Sequence, residues 1–299
     1  MRWLCLASLL LAAGAGAPGA FPAFGRDSGS TVGISGTVEW EALEIGAEIW
    51  LDLAAAGIRM PAGRIQAEAM LASEYLRLVR PRLMGLQVDS SATVADLIDG
   101  GYWSLAELEG VALEARRVPP LMSGGMDRML TRYSLDMAAL SAALIRHRIP
   151  ADIPRTLAPV AAPAFSGILI IASDELAVRG RETPALLRPA LFPRIWDGDM
   201  NLIFERNMLY PGTPTMVRYF PRSAVFAGGP TGLSPELAAV VGDRPLRVLA
   251  RGAFGTTPTD PIISRDDALA IIGAQENRDL LRTGRVAVIL DDSVLREGF

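Results

Sequence analysis

The strongest periodic signal in the chain lies between residues 65 and 83. Ile65, Ala69, Ala72, Leu76, Val79 and Leu83 recur at alternating spacings of four and three, which places them on one face of a helix of about five turns. Pro81 is expected to end or kink the last turn. Glu74 and Arg77 fall off that face and stand close enough to pair.

Period-two alternation marks strands on either side of this helix. From Val38 to Ala42 apolar residues alternate with Glu39 and Glu41; from Leu43 through Leu51 the alternation resumes one position out of step. Such a shift fits a bulge in one long bent strand or two consecutive strands. Residues 54–63, with Gly57, Pro61 and Gly63, read as a turn. Beyond Gly85, residues 86–94 favour a strand, residues 96–107 a short helix, and residues 109–118 alternate again. Met129, Thr131, Tyr133, Leu135 and Met137 then face one way from a strand whose other, mostly polar face carries Arg128, Leu130, Arg132, Ser134 and Asp136. With Ser123-Gly124-Gly125 before it, residues 109–137 form an expected hairpin, and residues 128–137 a candidate sheet edge open to another chain. Strand, long helix and then several strands predict an α+β fold, a helix covering one face of an antiparallel sheet.

Pro150, Pro154, Pro159 and Pro163 make residues 149–164 a semi-rigid linker. Downstream, residues 168–172 read as a buried strand, and Asp197-Gly198-Asp199-Met200-Asn201 as a hairpin turn between two short strands. Residues 246–253 read as one strand. Ser264 is a candidate N-cap, with Asp267 three residues on, for a helix ending before Gly284. Residues 286–290 close the fold as a buried strand. The organisation is then a signal at 1–15, a flexible lead-in at 16–36, a strand-helix-strands domain at 37–148, the linker at 149–164, and a β-rich α+β domain at 165–299.

Several of these segments resemble the FlgP-like family of bacterial envelope proteins. The long helix is followed by Gly85-Leu86-Gln87-Val88-Asp89-Ser90-Ser91-Ala92-Thr93-Val94-Ala95-Asp96 and then by Leu108-Glu109-Gly110-Val111. Phe165-Ser166-Gly167-Ile168-Leu169-Ile170-Ile171 is similar to a glycine-led strand of longer relatives, and Pro189-Ala190-Leu191-Phe192-Pro193-Arg194-Ile195 to the segment that follows it. Thr259-Asp260-Pro261-Ile262-Ile263-Ser264 and Arg285-Val286-Ala287-Val288-Ile289-Leu290-Asp291 complete the order. The resemblance implies a non-enzymatic periplasmic or outer-membrane-associated structural protein that self-associates or docks on envelope or flagellar partners. It transfers no catalytic residue. The chain departs from the family after its glycine-led strand, where it carries Ala172-Ser173-Asp174.

Composition sharpens this picture. Arg2, the apolar run at 3–13 and Ala13-Gly14-Ala15 form a secretory signal, too short for a bilayer span of about 20 residues. Cys5 is the single cysteine and leaves with that peptide, so the exported chain is expected to carry no lipid anchor and no transmembrane segment. All 29 basic residues are arginine, net charge is -4 and no basic stripe exists, which argues against a nucleic-acid partner.

Candidate chemistry is sparse. His147 is the single histidine, flanked by Arg146 and Arg148 near an expected helix end, where a capping or surface role is expected rather than a catalytic one. Asp197, Asp199 and Asn201 imitate the first half of a calcium loop, but Leu202 and Met208 occupy the positions that need glycine and glutamate. Asp266-Asp267 and Asp291-Asp292 read as a helix start and solvated charges. No catalytic, cofactor-binding or metal-binding residue is assigned. The alternative to a structural protein is a periplasmic hydrolase or glycan-binding protein using carboxylates alone, which requires two carboxyls converging in a cleft.

Overall fold

The computed structural model describes residues 30–156, 162–225 and 232–299. The expected signal with Cys5, the lead-in up to residue 29 and Pro159 of the linker lie outside the described residues.

β1 (Val32–Glu39) and β2 (Glu44–Asp52) pair antiparallel, with Val38 opposite Ile45. The one-residue shift in alternation is therefore a tight reversal at residues 40–43, where Leu43 takes φ 55°, and not a bulge. β1 also begins inside the expected lead-in. Its glycines are space for rings: a Cβ on Gly33 would stand 2.2 Å from the Trp50 ring, and one on Gly36 2.4 Å from the Phe299 ring and 2.3 Å from the Gly46 carbonyl. Gly36→Ala should displace that aromatic ring or spread the hairpin. A loss of about 1–3 kcal/mol in urea denaturation is expected, and an unchanged midpoint would show the ring is not seated there.

α1 (Arg64–Met84) covers this sheet, but through a rotated face. Ala67, Leu71, Tyr75, Val79 and Leu83 are buried, whereas Ile65 is 83% exposed and Leu76 is only half-buried. Pro81 lies within the last turn without ending the helix, and its carbonyl accepts from Gly85 N at 3.2 Å. The Glu74–Arg77 pair forms as expected.

Residues 86–94 and 109–118 differ from the expected strands, whereas the short helix expected within 96–107 is present. After a loop come α2 (Val94–Asp99) and α3 (Leu105–Leu113), each started by a reciprocal capping box: Thr93 with Asp96, Ser104 with Glu107. β3 (Arg116–Arg117), β4 (Leu121–Met122) and β5 (Arg128–Asp136) follow, then α4 (Met137–Leu144). The hairpin through Ser123-Gly124-Gly125 is present but joins only β4 to β5. β5 is an interior strand, with β2 on one side and β3 and β4 on the other, so it offers no edge to a second chain. Pro119-Pro120 interrupts the short outer strands, a feature that blunts an edge against further pairing. Tyr133 of β5 stacks on Tyr75 with centroids 3.8 Å apart and planes 14° from parallel, which fixes the buried face of α1.

The second half contains β6 (Ile168–Ile171), β7 (Ile195–Asp197), β8 (Leu202–Phe204), β9 (Arg218–Pro221), α5 (Pro235–Val241) and β10 (Leu246–Leu249). It continues with β11 (Gly252–Phe254), β12 (Asp260–Ile263), α6 (Arg265–Ile272), α7 (Gln275–Arg282), β13 (Val286–Leu290) and β14 (Arg296–Gly298). The β7–β8 hairpin and the Ser264 cap on Asp267 N form as expected. Residues 246–253 are two strands in different sheets, and the helix expected up to Gly284 is the pair α6 and α7.

The fold is α+β, as the sequence predicts, with one addition. β10, β6, β13 and β9 form a wholly parallel sheet, while β11, β12, β7 and β8 form a mixed one. β13 is completely buried, yet it does not close the chain: β14 crosses back and pairs antiparallel with β1, Val38 opposite Glu297. Residues 31–299 form one compact unit. No helix among the described residues is long and apolar enough to cross a membrane.

Candidate functional site

The polar groups singled out from the sequence are scattered, and most serve local structure. His147 Nε2 lies 2.8 Å from the Leu209 carbonyl, which ties the segment after α4 to the second half. Asp197 Oδ1 accepts from the backbone N–H groups of Asp199 and Asn201 at 3.0 and 2.8 Å, and Oδ2 from the Asn201 amide at 2.8 Å, so this carboxylate holds its own turn. Asp199 lies 3.5 Å from Arg265. Asp267 supplies the N–H bonded by Ser264. Asp291 caps the turn at 292–294 through Ser293, whose N–H and hydroxyl hold its carboxyl below the usual range.

The sequence does not single out the most deeply buried carboxyl, Asp260, which is fully buried where the two halves meet. Its Oδ1 accepts from Arg194 N and Thr259 Oγ1, both at 3.0 Å, its Oδ2 from Trp196 Nε1 at 3.2 Å, and the Ser90 hydroxyl bonds it from the first half. Burial pushes this carboxyl up, and the four donors offset that only in part. Beside it Arg194 pairs with Asp89 at 3.0 Å, and Leu191 N and Phe192 N donate to the Gln87 and Val88 carbonyls. Three segments that carry the family resemblance, 85–96, 189–195 and 259–264, thus meet at one seam. The signal available in sequence was the repeated pairing of a short polar residue with Asp, Asp89-Ser90 and Thr259-Asp260, next to apolar runs.

Carboxylates do converge elsewhere. A cleft of about 590 Å³ opens between the β1–β2 turn, the carboxyl ends of β9 and β13, and α5. Glu39, Glu41, Glu236 and Asp292 line it together with Arg218 and Arg296. Arg296 pairs with Glu39 at 3.0 Å, and Arg218 reaches the Glu41 carbonyl at 3.2 Å. Burial, and then the neighbouring charges of Asp292 and Glu236, raise the Glu41 carboxyl, with Arg218 pulling the other way. Among the described residues no group of three or more His, Cys, Asp or Glu side chains is arranged to hold a metal ion.

These elements define a class: an α+β protein in two halves, the first a helix on an antiparallel sheet, the second built on a parallel and a mixed sheet. Residues 31–143 match the family model of the N-terminal domain of Treponema pallidum Tp0624, and residues 167–292 match that of its second domain. The break between the two matches falls at the proline-containing segment. No curated protein matches the chain.

Proposed function

We propose that the protein is a non-enzymatic structural component of the bacterial envelope, exported and working through assembly with partners or with itself. The observation that carries this reading is the seam. Three of the segments that resemble the FlgP-like family are spent on joining two halves into one body, and the carboxylates at 197, 260 and 291 each accept hydrogen bonds from within the protein. The likeness to Tp0624 domains supports the two-part architecture and is silent on a flagellar role. The test is fractionation of cells together with a size measurement of the exported protein. Envelope association with a higher-order species is expected; a strictly monomeric protein that captures no envelope partner would end the proposal. The expected edge at residues 128–137 gives no route to assembly, because β5 is interior to its sheet.

A second reading, a carboxylate-based hydrolase or glycan-binding protein, is favoured by one feature: Glu41 is raised beside Asp292 and Glu236 in an open cleft. Incubation with envelope polysaccharides should then release reducing ends in a manner lost in Glu41→Gln. Equal release by both proteins would remove this reading.

A further inference from the structure

We draw no further inference here: the strongest candidate, the cleft between the β1–β2 turn, the carboxyl ends of β9 and β13, and α5, gathers the solvent-exposed carboxylates Glu41, Glu236 and Asp292 with no second feature that points to a ligand, and it belongs to the site already described.

Discussion

Asp260→Ala should destabilise the protein by roughly 3 kcal/mol or more, because each buried donor left without its acceptor costs about 1–3 kcal/mol. The donors at risk are Trp196 Nε1, Arg194 N, Thr259 Oγ1 and Ser90 Oγ. The hydroxyls can reorient; the indole and the backbone N–H cannot. Asp260→Asn should lie between the wild type and Ala, since an amide nitrogen must then face a donor on one side of the carboxyl site. The pH dependence follows from the raised native pKa. Between the unfolded value, about 3.9, and the higher native one, the folded state holds more protons than the unfolded state. This group's contribution to stability therefore falls as pH rises through that window and is constant above it. Asn does not titrate, so the stability gap between wild type and Asp260→Asn should widen as pH is lowered into the window. Urea denaturation of both proteins across a pH series checks this, and a gap independent of pH would show that Asp260 keeps an ordinary carboxyl.

Leu71→Ala is expected to cost about 2–5 kcal/mol, whereas Leu76→Ala should cost about 1 kcal/mol or less. Leu71 is completely buried beneath α1, one turn before Tyr75 and its stacking partner Tyr133. Leu76 is half-buried on the flank of the helix. Thermal or urea unfolding of the two variants compares them directly. If Leu76→Ala proved the more damaging, the helix would be seated on the face that its periodicity alone suggests.

That periodicity shows where sequence reading succeeds and where it fails in this protein. α1 is legible because its apolar residues repeat over many turns. Its facing is not, because Ala67, Ala69 and Ala72 are nearly neutral markers, and the choice among overlapping apolar rows is made by the Tyr75–Tyr133 stack, a contact 58 residues apart in the chain. α2 falls where a short helix is expected, but starts two residues early because Thr93 is a cap and not a strand residue; α3 is hidden by the apparent alternation of residues 109–118, and its start is marked by the Ser104-x-x-Glu107 cap. The parallel sheet was illegible for another reason. β6, β9 and β10 are four residues long, and β13 is buried on both faces, so none alternates enough to declare its neighbours. The Asp197 turn was readable because its chemistry is local. Asp260 draws its donors from residues 90, 194, 196 and 259, and only the folded chain brings those together.

The return of β14 to β1 bears on how this chain can be divided. A fragment cut within the proline-containing segment would keep α1 and β1 through β5, yet it would lose the strand that covers the outer edge of β1 and the ring that fills the space above Gly36. The bare edge would be a template for pairing with any extended chain, and the emptied slot an apolar hole in the sheet. Expression of the first half alone should therefore yield an aggregation-prone product, and supplying the C-terminal segment in trans as a peptide is the natural rescue.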